Sequence, residues 1–229
     1  MIRFEQVSYT YPSGYEALKE LSCDIAAGER VNLIGKTGSG KTTFIMLILG
    51  MMPATKGRIT VLDQLANRMN QSQLAHLRRK IGLAARWVPL INHLSALENI
   101  IQPLLIAGAS RSAAEKKGRQ ILSDLELGHR YRDRVATFSD TEYSKLLIAR
   151  AIIHQPSLLL IDDALDYLDS DTTKQIETLI HDCHQQGLTV IECNNNSIHS
   201  PSPLHVRTIE LMDSQLTDET EHLLFDIAP

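Results

Sequence analysis

Apolar and polar positions fall into two rhythms along this chain, and each change of rhythm marks an element. Ile2-Arg-Phe-Glu-Gln-Val7 alternates, which predicts a strand with one covered face. Leu21-Ser-Cys-Asp-Ile25 also reads as a strand and ends at the Ala27-Gly28 turn. Arg30–Ile34, Ile81–Ala85, Leu158–Ile161 and Leu188–Cys193 are short, mainly apolar runs, as in strands buried inside a sheet. Gly57–Val61 is one more strand, and Val206–Leu216 reads as a terminal hairpin. Helical spacing covers Lys41–Leu49, residues 70–80 (closed by three basic residues) and Asp171–Gln186. Three Ser-x-x-Glu pairs, Ser95/Glu98, Ser112/Glu115 and Ser139/Glu142, predict helices opened by capping boxes, with Gly108 and Gly128 stopping the first two. The result is an α/β chain with a mostly helical insertion, about Arg86 to Ile153, between two stretches rich in strands.

The candidate chemistry sits where strands end. Gly35-Lys36-Thr37-Gly38-Ser39-Gly40-Lys41-Thr42, followed by Thr43, satisfies the spacing G-x-x-x-x-G-K-[ST]. Glycines let successive backbone N–H groups turn inward on a polyphosphate; Lys41 is placed to reach its outer phosphates, and the Thr42 hydroxyl to ligate Mg²⁺. A strand leads into this loop and a helix leads out, its positive end toward the anion. Leu158-Leu-Leu-Leu-Ile-Asp162-Asp163 is a hydrophobic strand ending in two carboxylates. Asp162 is the candidate partner of Thr42 in holding the metal, and Asp163 the candidate for orienting an attacking water. Tyr11, just beyond the first strand, is a candidate for stacking on a base.

Bulk properties narrow the field. The chain has 229 residues, 43% of them hydrophobic, enough for one substantial core. Its net charge of −4, without a dense basic face, argues against a nucleic-acid binder. Cys23, Cys183 and Cys193 show no C-x-x-C spacing and are expected to be reduced thiols of a cytosolic protein. The longest apolar run, Phe44 to Met52, is too short to span a bilayer, so any membrane contact is expected through a partner. The acidic last dozen residues, around Leu223-Leu-Phe225, read as a loosely packed tail.

In its order of motifs the chain resembles the ATP-binding subunits of ABC transporters. That order is Tyr11, the phosphate loop, a helical insertion, Phe138-Ser-Asp-Thr-Glu142 ahead of Leu146–Ala151, the 158–163 strand, then Tyr167-Leu168-Asp169. The opening MIRFEQVSYTYPSGYEALKEL and Pro103–Ser110 are most similar to cell-division ATPases of the FtsE type. Ser95–Ile100 also resembles the lipoprotein-releasing and macrolide-exporter groups. The resemblance implies a P-loop NTPase core of mixed sheet, a small antiparallel β subdomain and an inserted helical subdomain. This is one ATP-binding domain over residues 1–229, with core segments 1–85 and 154–229 around a lobe at 86–153. It also implies ATP and Mg²⁺ as cofactors, a homodimer or heterodimer, and an FtsX-like transmembrane partner at the cytoplasmic face of the inner membrane.

The departures from the family share a direction. The family's Leu-Ser-Gly-Gly-Gln signature, which meets the partner subunit's nucleotide, becomes Phe138-Ser139-Asp140-Thr141-Glu142. Ser139 is kept, but Asp140 brings a negative charge that at ~6 Å and an effective dielectric of ~20 repels another by roughly 3 kcal/mol. A helix cap is the other reading of this run. Arg86 stands where the family has a metal-contacting Gln, Asn195 where it has a phosphate-sensing His, and Asp163 where it has the catalytic Glu. Arg86 and Asn195 then become substitute contacts for the γ-phosphate. Nucleotide binding is expected intact and turnover impaired. Trp87-Val-Pro-Leu-Ile91 is expected either to dock the transmembrane partner or to pack the helical lobe.

Overall fold

The computed structural model describes residues 1–165, 168–194 and 206–221, the last four by backbone alone. The chain divides into two compact units: Met1–Leu77 with the described part of Thr189–Pro229, and Arg78–Leu188. The first unit opens with β1 (Ile2–Thr10), β2 (Glu16–Ile25), β3 (Arg30–Ile34), α1 (Lys41–Ile48), β4 (Lys56–Val61), β5 (Gln64–Leu65) and α2 (Gln71–Arg78). The second carries β6 (Ile81–Ala85), α3 (Ala96–Ile106), α4 (Arg111–Asp124), α5 (Asp140–Ile152), β7 (Leu158–Asp162) and α6 (Ser170–Gln185). Then β8 (Thr189–Asn194), β9 (Arg207–Met212) and β10 (Gln215–Glu221) return to the first.

In the first unit an antiparallel sheet runs β2-β1-β4-β5, with Ile2 opposite both Ile25 and Val61. Its buried face includes Ile2, Phe4, Leu21 and Ile59, and Phe4 stacks on Phe44 of α1 with ring centres 4.5 Å apart. Full burial of a side chain this size contributes about 1.5–3 kcal/mol. A second set of strands runs β10-β9-β3-β8. Here β3 lies parallel to both neighbours, with Leu33 level with Cys193 and with Ile209. All five residues of β3 are buried, as its apolar run predicts. Two of them are polar and need internal partners. Arg30 donates to Glu192 at 3.4 Å, and Asn194 donates to Asn32 at 2.9 Å and to Glu192 at 3.2 Å.

In the second unit β6 and β7 pair in parallel, setting Ala85 level with Asp162. Nearly every residue of α5 from Ser144 to Ile152 is buried, and the helix packs on β6 and α3. In α6 the buried residues Thr172, Ile176 and Ile180 recur every four positions and form a single buried stripe.

Two capping boxes form as predicted, at Ser95/Glu98 and Ser139/Glu142. The third does not. α4 is capped by Ser110, whose hydroxyl accepts from the Ala113 amide, while Glu115 pairs with Arg111 one turn away at 2.9 Å. Nor does Gly128 end that helix, which stops at Leu125; Gly128 opens a short 3-10 turn beyond it. Gly108, with φ +90°, does close α3. The terminal hairpin is longer than expected, since β10 carries Asp218–Glu221 of the acidic segment; residues 222–229 lie outside the described residues. Among the described residues, no helix is long and apolar enough to cross a membrane.

Candidate functional site

In the first unit the phosphate loop leaves the buried end of β3 and enters α1. Two glycines are required by space. A Cβ on Gly35 would sit 2.5 Å from the Leu211 carbonyl oxygen and 2.6 Å from Ser39 Oγ; one on Gly40 would sit 2.5 Å from the Ala17 carbonyl oxygen. Gly40 also has φ +109°, a conformation open to glycine and strained for other residues. Gly40 caps α1 without a side chain, and the first turn holds no acidic residue, so the positive helix end is left for an external anion. Lys41 is 6% exposed, and its ammonium donates to the Gly35 and Lys36 carbonyls at 2.6 and 3.2 Å. Ser39 Oγ is buried without a hydrogen-bond partner among the described residues. A tight glycine cradle, a helix N-terminus, a lysine folded over the loop and an orphaned hydroxyl together fit a polyphosphate. Lys36, Thr37 and Gly38 are exposed, Thr42 is half-buried and Thr43 buried.

Tyr11 comes to the same loop. Its hydroxyl lies 2.9 Å from Thr43 Oγ1, and its ring meets Tyr9 edge-on. Across the Pro12-Ser13-Gly14 turn, Tyr15 lies with its ring nearly parallel to that of Tyr11, centres 6.2 Å apart. The Tyr15 hydroxyl donates to the Gly38 carbonyl at 2.7 Å. Sequence reasoning missed Tyr15; the signal was a second aromatic four residues after the first, across a turn.

The second unit carries the carboxylates. Asp162, 1% exposed, ends β7, and Asp163 follows in a left-handed conformation with φ +51°. The Trp87 indole donates from Nε1 to Asp162 Oδ2 at 2.7 Å. Asp162 offers the hard oxygen donor set that suits magnesium. Arg86 turns toward α5: Nη2 lies 3.4 Å from Ser144 Oγ, and Nη1 lies 3.9 Å from Asp140 Oδ1. The charge that sequence alone leaves bare at Asp140 therefore has a cation beside it. With Asp140 86% exposed, that pair is worth at most about 1 kcal/mol.

Ser139 is the N-cap of α5, its hydroxyl accepting from the Glu142 amide at 3.3 Å while Glu142 reaches back to the Ser139 amide at 2.9 Å. Arg130 grips the Glu142 carboxylate with both contacts at 2.7 Å and stacks on the Phe138 ring. Burial alone would raise the Glu142 carboxyl, but hydrogen bonds from Arg130 and Ser139 hold it below its ordinary range. Asn195 and Tyr167, both singled out from the sequence, lie outside the described residues.

Residues 18–166 match the family model described as "ABC transporter". The lipoprotein-releasing system ATP-binding protein LolD of Aquifex aeolicus is 33% identical over 90% of this chain and 92% of its own length. The cell division ATP-binding protein FtsE of Bacillus subtilis is 30% identical over 86% of each chain. Among solved structures, the ATP-binding cassette MJ0796, a dimer in a post-hydrolysis state bound to ADP and Pi, superposes with a TM-score of 0.88 at 28% identity. That match covers 96% of this chain and 98% of the other.

Proposed function

Because the chain belongs to the ABC transporter family, we propose that it is the ATP-binding subunit of an ABC complex, a dimer-forming cassette that grips magnesium–ATP and passes its closure to a transmembrane partner. The observation that carries this reading is the phosphate cradle, where glycines 35 and 40 have no room for a side chain and Lys41 is folded over the loop. In this reading Gly35 to Thr43 hold the phosphates, Tyr11 meets the base, and Thr42 and Asp162 supply oxygens to magnesium. Bound there, magnesium would neutralise charge on the phosphate oxygens. Asp163 is the candidate base, Arg86 and Asn195 are the candidate γ-phosphate contacts, and Ser139 faces the nucleotide of the other subunit. The division into a core at 1–85 and 154–229 and a helical lobe at 86–153 belongs to the same reading.

Turnover is slow, or absent so that the subunit works as a switch. Asp163 has one methylene fewer than glutamate, and general-base action contributes about 10²–10⁴-fold to a rate. Arg86 is engaged with Asp140 and Ser144 on its own lobe. Two assays on the purified chain test this. Equilibrium dialysis with ATP and magnesium is expected to show retention by the wild type and a loss of at least tenfold in Lys41→Ala. Phosphate release abolished by the same substitution identifies an ATPase; retention without release identifies a switch. Retention equal in both proteins would overturn the nucleotide reading.

The finer assignment is an FtsEX-like complex in bacterial cell division, supported by the FtsE match. A lipoprotein-release complex is the second reading, supported by the LolD match at 33% identity. In both, the subunit sits at the cytoplasmic face of the inner membrane, held there by its partner, as a homodimer or with a homologous ATPase. The membrane protein that co-purifies with the tagged chain separates the two.

A further inference from the structure

We infer that Trp87 is a positioning residue for the metal-holding carboxylate of Asp162, and that its loop ties that carboxylate to α5; this rests on the magnesium–ATP reading above. The register of β6 and β7 sets Ala85 level with Asp162, so a residue two positions beyond Ala85 comes within reach of the strand's carboxylate. Trp87 is that residue, and its indole donates to one oxygen at 2.7 Å, short for an N–H···O bond. A carboxylate offers about four lone-pair directions, so the bond leaves acceptor capacity for a cation. Its effect is to fix which way the remaining capacity points.

The donor is itself held. Arg150 of α5 donates to the carbonyls of Val88 at 2.6 Å and Pro89 at 2.9 Å. The Leu90 amide donates to the Tyr143 hydroxyl at 2.7 Å. Asn99 of α3, 1% exposed, accepts from the Ile91 amide at 2.7 Å and donates to its carbonyl at 3.0 Å. The 86–91 loop is thus fastened to two helices, and its indole meets Asp162 as a fixed donor. Partners that orient a metal ligand typically contribute 10- to 100-fold to metal affinity. Trp87 itself is half-buried, and Ile91, 42% exposed, is the large apolar side chain this loop presents.

The test measures ATP retention as a function of magnesium, with a parallel measurement in EDTA. Trp87→Phe keeps a ring and loses the donor. It is expected to raise the magnesium concentration for half-saturation about tenfold or more while leaving metal-free ATP retention unchanged. Trp87→His, which restores a ring N–H, is expected to recover part of that loss. Trp87 is the only tryptophan, so its emission reports on this bond without labelling. In the wild type with ATP, magnesium is expected to shift that emission, and the shift is expected to vanish in Asp162→Asn. The emission measurement stands even if Trp87→Phe does not fold. A magnesium requirement within twofold of wild type, or an emission shift that survives in Asp162→Asn, would overturn this inference alone. Failure of the wild type to retain ATP under any condition would overturn the nucleotide reading, and this inference with it.

Discussion

At the scale of single residues, the phosphate loop shows how far backbone constraint can be read in advance. Gly40 combines a positive φ with a carbonyl oxygen 2.5 Å from where a Cβ would stand. Gly40→Ala is therefore expected to cost about 1–3 kcal/mol through overpacking and strain. In a chain of this length each kcal/mol lowers the thermal midpoint by about 2–4 °C. Calorimetry on the purified variant checks it, and an unchanged midpoint would mean the loop relaxes freely around a methyl group. The glycine and lysine positions were legible because their constraints are local: a few consecutive residues dictate the turn. The indole on Asp162 and the Tyr15 bond to Gly38 were not legible. They depend on strand register and on a turn bringing distant residues together, which no spacing rule encodes. Likewise, Arg86 and Asp140 each read as isolated departures in sequence, and only the fold sets them side by side.

Among elements, the helix termini separate what pattern gives from what packing decides. Ser95/Glu98 and Ser139/Glu142 were readable because each Glu still reaches back to the amide of its own Ser, even where Arg130 also grips Glu142. Ser112/Glu115 has the same spacing, but Arg111 claims Glu115 and Ser110 takes over as cap. Ser139→Ala is expected to cost about 1 kcal/mol of stability. Glu142 adds a pH dependence of defined sign. Its carboxyl lies below the ordinary 4.5, so its contribution is complete above that value and is lost as the pH falls through the lowered native value. Denaturant midpoints measured from pH 7 down to pH 3 should show a shallower acid decline in Glu142→Gln than in wild type. Equal slopes would mean the carboxylate is no better held in the native chain than in the unfolded one.

For the whole molecule, the order of strands and helices was visible in the sequence because strands buried on both faces leave unmistakable apolar runs. The two-residue β5 left no such trace. β1 also runs on to Thr10, three residues past the strand read from the sequence, and carries a positive φ at Gln6 within it. Nor does pattern reveal that β3 takes both of its neighbours, β8 and β9, from the far end of the chain. Glu192, the buried counter-charge of Arg30, follows it by 162 residues. Proteins emerge from the ribosome N-terminus first, so the segment carrying the phosphate cradle is made early and acquires its flanking strands last. Nucleotide capture is then withheld from nascent forms too short to hold β8 and β9. A released fragment ending at Gly187 should retain no ATP and should be cut rapidly by trypsin after Arg30. Should such a fragment hold nucleotide as the full chain does, the cradle would need neither of its late-arriving supports.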